Sequence, residues 1–317
     1  MVNVIIPVYK AKDTIEDALN SLVAQTKKMF IVTFSQDGDG EDYTDIIKEY
    51  ERRGLHIRHI NSEENGGPGI ARQRGIDAET MCDYIMFMDS DDMLLPNAID
   101  TLYTEAKRNR VDVLSSNFIA EMDYISNIPM PARSIPITWT HGKIYRLQYL
   151  RNNNIRFIPE LRYNEDAYFN VVALNCTQNK KTIDETTYLW RHNNKSLTRE
   201  GGYKAFFDKS WESYIYGQIM GMRKISETLG EIPCNLLGAT CIYIFKYYMI
   251  AKHYNYDLSK TDSYIKMLNT PILKEGFENI EFWDYVCKNL KGAERFEDVI
   301  IFYDMKFSKW IKSYLEE

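Results

Sequence analysis

Short apolar runs alternate with helical segments across residues 2–119, and this alternation restricts the fold more than any other feature of the chain. The first run, VNVIIPV, is apolar throughout, which is typical of a strand buried on both faces of a sheet. Repeated strand, helix and strand at this spacing predict an α/β fold with a mostly parallel central sheet and helices on both faces. The predicted strands are residues 2–8, 29–35, 56–60, 83–89 and 111–119, and the predicted helices between them are 12–26, 43–54, 68–80 and 96–109.

Three informative stretches lie directly after predicted strands, at residues 7–9, 36–42 and 89–92. In open α/β sheets, ligands bind in the crevice at the carboxyl ends of the strands. We therefore expect the three stretches to line one crevice.

The stretch NGGPGIARQRGI, residues 65–76, places three glycines and a proline at the start of a predicted helix. Glycines let another group approach the backbone closely, and Pro68 suits the first turn of a helix. Arg72 and Arg74 then lie near the positive end of that helix. We interpret this stretch as a site that meets an anionic group.

The carboxylates Asp89, Asp91 and Asp92 follow an apolar strand directly. Crowded carboxylates raise each other's pKa unless a cation or hydrogen-bond donors compensate. Oxygen ligands suit Mg²⁺ or Mn²⁺, which bind a carboxylate or two together with substrate phosphates. Capping of the helix that follows Pro96 explains the same residues. This motif alone therefore leaves both a metal site and a helix cap open.

Two later stretches carry candidate catalytic groups. Glu165 and Asp166 begin a predicted helix, where they either compensate the helix dipole or supply a general base. His192 lies between two arginines, Arg191 and Arg199. A single histidine has either a structural role or a role as a ligand, and the residue type alone does not choose between them.

Composition separates classes of function. A net charge of −6 over 317 residues argues against general nucleic-acid binding, which needs a basic footprint, although residues 131–163 form a local basic stretch. Five scattered cysteines without a CxxC pair indicate buried thiols in a reducing compartment. No signal-peptide pattern is found, and the longest uncharged apolar run, Ile232 to Phe245, is shorter than the about 20 residues of a membrane span. We expect a cytoplasmic protein, with peripheral contact at the inner face of the membrane left open.

The pattern changes near residue 200, where the chain becomes helical and rich in tyrosine. We therefore predict two domains, residues 1–200 as the catalytic domain and 201–317 as a helical C-terminal extension. The apolar faces of the extension are expected to form its core. Acceptor binding, membrane docking and oligomer formation are the alternatives for this region.

Together, the stretches resemble the family 2 glycosyltransferases of the GT-A fold over about residues 1–200. The matching parts, in family order, are VIIPVYKAKDTIEDALNSLVAQT, QDGDGED, NGGPGIARQRGI, FMDSDD as the DxD motif, HGKIYRLQYL, YNEDAYFNVVAL as the ED motif, and YLWRHNNKSLTR. The resemblance implies a Rossmann-like GT-A domain and an inverting transfer from a nucleotide-diphosphate sugar, expected to be a UDP-sugar. The implied acceptor is a hydroxyl of a glycan, a lipid-linked molecule or another compound, in surface polysaccharide or glycoconjugate synthesis.

The resemblance also implies roles for individual residues. Asp166 matches the catalytic base, which takes the proton of the acceptor hydroxyl. Asp91 matches the ligand of Mn²⁺ or Mg²⁺, with His192 as a further contact to the metal or to the diphosphate, and the metal neutralises the leaving diphosphate. The residues expected to border the nucleotide sugar are Pro7, Val8, Tyr9, Asp37, Gly69, Arg72, Asp89 and Ser90, and those expected near the diphosphate or the acceptor are Glu165, Arg191, Ser196 and Arg199.

The turn at Gln36 departs from the family pattern. Gln36 replaces the first Asp of the family's DDGSTD turn, and Asp39 with Gly40 replaces its Ser-Thr pair, so the contacts with the base can differ. Two alternatives remain: a glycosyltransferase that acts on a protein or a modified nucleic-acid base, and a non-catalytic module that binds sugar nucleotides. The DxD motif, Asp166 and His192 argue against the module, because a pure binder does not need a base.

Overall fold

The computed structural model describes residues 1–121, 130–132, 139–193, 202–290, 293–296, 299–302 and 306–315. They belong to two compact units, residues 1–200 and residues 201–317. In the first unit the strands are β1 (Val2–Val8), β2 (Phe30–Asp37), β3 (Ile57–Ser62), β4 (Tyr84–Phe87), β5 (Met93–Leu94), β6 (Val113–Ala120), β7 (Met130–Ala132), β8 (Lys143–Arg146) and β9 (Lys180–Trp190), and the helices are α1 (Ile15–Val23), α2 (Thr44–Arg52), α3 (Pro68–Asp77), α4 (Ala98–Asn109), α5 (Leu147–Asn152) and α6 (Glu165–Asn175).

One sheet organises the first unit, with the strand order β3-β2-β1-β4-β8-β6-β9-β5 and with β7 paired to β6. β1 lies parallel to both β2 and β4, and β2 lies parallel to β3. β8 runs antiparallel between β4 and β6. The predicted α/β class is confirmed. The predicted parallel order holds for β3, β2, β1 and β4, whereas the other half of the sheet is mixed.

The core of this unit forms around β1, in which all seven residues are buried. α1 covers one face of the sheet with Ile15, Leu19 and Leu22 among its buried residues. On the other face α3 lies close to β1, because a Cβ on Gly75 would approach Ile5 Cγ2 to 2.5 Å. Since β1, β2 and β4 are parallel, the segments that follow them emerge at the same edge of the sheet.

The second unit is mainly helical. α8 is the one helix among its described residues with the length and composition of a membrane span, and 56% of that window is buried inside the structure. Core helices meet the same criterion, so this is weak support for a membrane span. The elements are α7 (Gly202–Leu229), α8 (Cys234–His253), α9 (Ser259–Lys266), α10 (Pro271–Glu278), α11 (Ile280–Asn289), the antiparallel pair β10 (Ala293–Phe296) and β11 (Val299–Phe302), and α12 (Lys306–Leu315).

Candidate active site

Arg72 on α3 joins the two acidic motifs of the first unit. Its Nη2 donates to Asp89 Oδ1 at 2.5 Å, and its Nη1 donates to Glu165 Oε1 at 2.8 Å. The side chains of Arg72 and Glu165 are only 5% and 10% exposed. Sequence reasoning placed Arg72 beside the nucleotide and Glu165 near the diphosphate or acceptor. The structure pairs them with each other, and Arg72 thereby connects the start of α6 to Asp89, two residues after β4.

Gly69 serves the contact between α3 and α6. A Cβ at this position would lie 2.8 Å from Glu165 Cγ and 3.3 Å from Phe157 Cδ1, so any side chain here would push the two helices apart. Sequence reasoning attributed the glycine to close approach of a ligand. In the structure, the space that Gly69 leaves open is filled by Glu165.

Asp37, the last residue of β2, binds the glycine-rich loop. Its carboxylate accepts hydrogen bonds from the backbone N–H groups of Gly66 at 3.0 Å and Gly67 at 2.7 Å, and Arg74 Nη1 donates to it at 2.6 Å. Gly67 takes φ 84° to begin α3. The chain itself therefore supplies an anion at this helix start, and the predicted contacts of this loop and of Asp37 with the nucleotide stay predictions.

The residues that depart from the family turn form a hydrogen-bond network. Gln36 Nε2 donates to Asp39 Oδ1 at 2.7 Å, and Gln36 Oε1 lies 2.9 Å from His59 Nε2. Asp39 also accepts from Lys10 N at 2.7 Å and from the Tyr43 hydroxyl at 2.9 Å. Burial opposes ionisation of Asp39, but these hydrogen bonds outweigh it and lower the pKa of Asp39. The network ties the segment after β2 to the segment after β1.

The segment after β1 brings one exposed side chain to this edge. Pro7 and Val8 are buried inside the strand, whereas Tyr9 is exposed. Of these three residues predicted to border the nucleotide, Tyr9 therefore presents its ring to solvent.

The DxD segment is held by the end of β9. The Tyr188 hydroxyl donates to Asp92 Oδ2 at 2.6 Å and accepts from Asp89 N at 3.1 Å. Arg191 N donates to Asp92 Oδ1 at 2.8 Å, and Asn193 Nδ2 donates to Asp91 Oδ2 at 2.8 Å. Burial, together with the charges of Asp89 and Asp91, raises the pKa of Asp92. Asp92 thus holds the loop in place, and Asp91 remains half-buried at its edge.

The other predicted residues of these segments are placed as follows. Ser90 is half-buried between Asp89 and Asp91. The backbone N–H of His192 donates to Glu121 Oε2 at 2.9 Å. The preceding residue, Arg191, makes the backbone contact with the DxD segment. The side chain of Arg191 pairs with Asp17 on α1 at 2.7 Å. Ser196 and Arg199 lie outside the described residues.

The donor set at Asp91 fits a metal that arrives with a substrate. Among the described residues there is no group of three or more His, Cys, Asp or Glu side chains able to hold an ion on its own. Mg²⁺ and similar ions bind one or two carboxylates and complete their coordination with substrate phosphates and water. Asp91 is a carboxylate of this kind. His192 lies in the segment after β9, next to Asn193, whose side chain donates to Asp91.

Asp166 lies in the first turn of α6, next to the ion pair of Glu165 and Arg72. Its Oδ1 accepts a hydrogen bond from Ala167 N at 2.7 Å. Burial, with the neighbouring charge of Glu165, raises the pKa of Asp166 to about 7, although Arg72 acts in the opposite direction. A carboxylate with a pKa near the working pH is well matched to act as a general base.

We expect the activity to rise with pH through about 7, because only the ionised carboxylate of Asp166 accepts a proton. The raised pKa means that the base form is present above this pH and is lost as the pH falls. The measurement is kcat/KM between pH 5.5 and 9, since kcat/KM reports ionisations of the free enzyme. A kcat/KM that does not rise between pH 5.5 and 8 would contradict the assignment, because an Asp with its ordinary pKa of about 4 is already ionised over this range.

The described cations of the basic stretch 131–163 make contacts within the protein, and the place beside the acceptor or the diphosphate that the family resemblance implies for this stretch stays a prediction. Lys143 is buried, and its Nζ donates to Trp139 O at 2.6 Å. Burial lowers the pKa of Lys143 to about 7, with Asp166 as the opposing charge. The burial of Lys143 was not predicted from the sequence. The only feature that indicates it is the position of Lys143 at the start of the apolar run KIY. Of the others, Arg146 pairs with Asp112, Arg151 donates to Ile76 O and Glu79 O, Arg156 pairs with Asp77, Arg162 donates to Asn65, and Arg133 lies outside the described residues.

Comparison with known proteins identifies the family of the chain. The family model for glycosyl transferase family 2 matches residues 3–161. An uncharacterized glycosyltransferase, EpsJ of Bacillus subtilis, is 28% identical over 241 residues, which cover 69% of each chain. The poly(ribitol-phosphate) beta-N-acetylglucosaminyltransferase TarS of Staphylococcus aureus is 27% identical over 59% of this chain, but the match covers only 35% of TarS.

Solved structures share the fold at low sequence identity. TarS 1–349 of S. aureus in complex with UDP-GlcNAc aligns with a TM-score of 0.66 at 17% identity, over 96% of this chain and 97% of that one. A mannosyltransferase of Pyrobaculum calidifontis in complex with GDP-Man and Mn²⁺ aligns with a TM-score of 0.53 at 13% identity, over 91% and 86% of the two chains. The family match extends over half of the chain, so the protein belongs to glycosyl transferase family 2 and is a glycosyltransferase of the GT-A fold.

Proposed function

We propose that the protein is an inverting glycosyltransferase that moves a sugar from a nucleotide-diphosphate sugar, expected to be a UDP-sugar, to an acceptor hydroxyl. The observation that carries this proposal is the placement of Asp166, a carboxylate with a pKa of about 7, beside the Arg72 link to the DxD segment. Through this link, the carboxylate proposed as the general base is tied to the DxD segment, where the proposed donor would bind.

The residues supply the steps of a single displacement. Asp166 accepts the proton of the acceptor hydroxyl as its oxygen forms a bond to the anomeric carbon. The bond from that carbon to the diphosphate oxygen breaks on the opposite face, and its electron pair leaves with the nucleoside diphosphate. Attack opposite to the leaving group inverts the anomeric configuration. Arg72 keeps Asp89 and α6 in fixed relation during this step.

Asp91 and His192 are the residues that would hold a divalent cation. A bound Mn²⁺ or Mg²⁺ neutralises charge on the leaving diphosphate, and thus makes it a better leaving group. The Mn²⁺ in the complex of the Pyrobaculum enzyme supports a metal requirement, as does the half-buried position of Asp91.

The acceptor is proposed from the relatives. TarS is named for transfer to poly(ribitol-phosphate), which favours a hydroxyl of a surface polysaccharide or a related glycoconjugate. A cytoplasmic location, with access to lipid-linked acceptors at the inner face of the membrane, is part of the same proposal.

We expect one UDP-sugar to bind in the presence of Mn²⁺ and to bind at least about tenfold more weakly with chelator. Asp91 alone contributes few ligands, so the ion is expected to complete its coordination with the diphosphate of the donor and to bind together with it. Calorimetric titration with UDP-, GDP- and dTDP-sugars measures this. Asp91→Asn should bind equally with and without Mn²⁺, and Asp100→Asn, an exposed carboxylate on α4, is the control. Absence of binding to every sugar nucleotide would overturn the proposed function, and full binding in chelator would remove the metal from it.

A further inference from the structure

We propose that the rings of Trp139, His141 and Trp190 form a binding subsite for a pyranose ring of the acceptor, an assignment that rests on the proposed function. Trp139 and His141 precede β8, and Trp190 is the last residue of β9. The His141 ring stacks on Trp139 at 5.4 Å between centroids and 19° between planes, and on Trp190 at 5.8 Å and 23°. Both tryptophans are half-buried and reach the surface, whereas His141 is buried between them. The three rings are here called the aromatic platform.

Hydrogen bonds connect the aromatic platform to the DxD segment. Tyr188, which stacks on His141 at 5.0 Å, holds Asp92 and Asp89 N through its hydroxyl. The residue after Trp190 donates its backbone N–H to Asp92 at 2.8 Å. The platform is therefore fixed to the loop that bears the predicted metal ligand, next to the reacting groups.

The chemistry of the platform suits an uncharged, hydroxyl-bearing ring. His141 is only 6% exposed, and its Nε2 has no hydrogen-bond partner among the described residues. Native structures rarely leave a buried polar atom unsatisfied, which points to a ligand or an ordered water at this nitrogen. Burial, with the charge of Lys143, lowers the pKa of His141 to about 3, so the ring is neutral and can exchange one hydrogen bond with a hydroxyl. The indole rings provide apolar faces with the amphipathic character common in binding sites.

The position of the platform in the sheet indicates binding of the acceptor rather than of the nucleotide. Of the residues predicted to border the nucleotide, Val8 and Asp37 end β1 and β2. The platform lies before β8 and at the end of β9, beyond β4 in the strand order. The strand ends of β1 and β2 and the platform thus lie on opposite sides of β4, which leads into the DxD segment, and this arrangement suits a donor and an acceptor that meet there.

The test uses saturation-transfer NMR of the full chain with UDP and Mn²⁺ present, and methyl glycosides of glucose, galactose, rhamnose and N-acetylglucosamine as probes. Ribitol 5-phosphate is the acyclic, charged comparison. We expect at least one pyranoside to bind, and His141→Phe, which keeps a ring but removes Nε2, to weaken that binding about tenfold, the effect of one lost hydrogen bond. Trp190→Leu should abolish it. Trp283→Leu, a half-buried tryptophan of the second unit, should leave it unchanged.

Several outcomes separate the hypotheses. UDP affinity and melting temperature of His141→Phe should equal those of the unmodified protein, because a purely structural histidine would change stability and not pyranoside affinity. Failure of all four pyranosides to bind while UDP binds overturns the platform and leaves the proposed function standing. Preference for ribitol 5-phosphate, or loss of UDP affinity in Trp190→Leu, overturns the assignment to a pyranose of the acceptor. If the unmodified protein does not bind UDP at all, the proposed function itself is refuted.

Discussion

Asp166→Asn is expected to lower turnover by about 10²–10⁴-fold, the usual contribution of a general base, while donor affinity stays the same. The amide has the shape of the carboxylate but cannot take the proton of the acceptor hydroxyl. Its neighbours tolerate the change, because Oδ1 accepts only a backbone N–H from Ala167 among the hydrogen bonds described for this side chain. Asp166 is half-buried, and desolvation raises its pKa to about 7, so the substitution also removes a charge that is costly to desolvate.

Two measurements on the same preparation separate the base from a binding role. Nucleotide release from the donor in the presence of acceptor gives turnover, and calorimetry gives donor affinity. Asp100→Asn on α4 should match the unmodified protein in both. Full turnover by Asp166→Asn would remove the base from the mechanism, and a parallel loss of donor affinity would indicate that Asp166 acts mainly in donor binding. A non-catalytic module would show no turnover in any variant.

The first half of the fold was predictable because its signals are local. The apolar run of β1 requires burial on both faces, and the structure buries all seven residues. β8 and β9 were missed. β8 has only four residues, and β9, whose buried and exposed positions are interspersed, joins the sheet beside β6 through long-range pairing. A strand as short as β8, or as polar in sequence as β9, acquires its structure from partners that the local pattern does not contain.

The motifs of the site were predictable, but the partners of their residues were not. The glycine-rich loop was interpreted as a site for an external anion, and the same loop binds the internal carboxylate of Asp37. Both interpretations follow from glycine and from the positive end of a helix, so only the tertiary contacts choose between them. Lys143 shows the same limit. A charged residue at the start of a short strand is expected at the surface, and its burial depends on the packing of the sheet.

The partners of Arg72 could not be predicted from the local sequence, since Glu165 lies 93 positions away along the chain. Arg72→Met should destabilise the protein by about 3–5 kcal/mol, the typical cost of removing one member of a buried ion pair. The larger part of this loss arises at Glu165, whose side chain is 10% exposed, because Asp89 is 40% exposed and water screens its unpaired charge. Loss of the Arg72 charge should also raise the pKa of Asp166 further, and thereby move the ascending limb of activity to higher pH.

Chemical denaturation measures the loss, and a double variant identifies its cause. Arg72→Met with Glu165→Gln should recover part of the stability, because the buried carboxylate left without a partner is then neutral. Arg156→Met is the control, since Arg156 and Asp77 form a pair in which both side chains are nearly half exposed, 47% and 48%. Exposed pairs contribute about 0–1 kcal/mol, so this variant should change little. If Arg72→Met costs no more than Arg156→Met, Arg72 does not hold the two acidic motifs together. If the double variant is less stable than Arg72→Met, the unpaired charge of Glu165 is not the source of the loss.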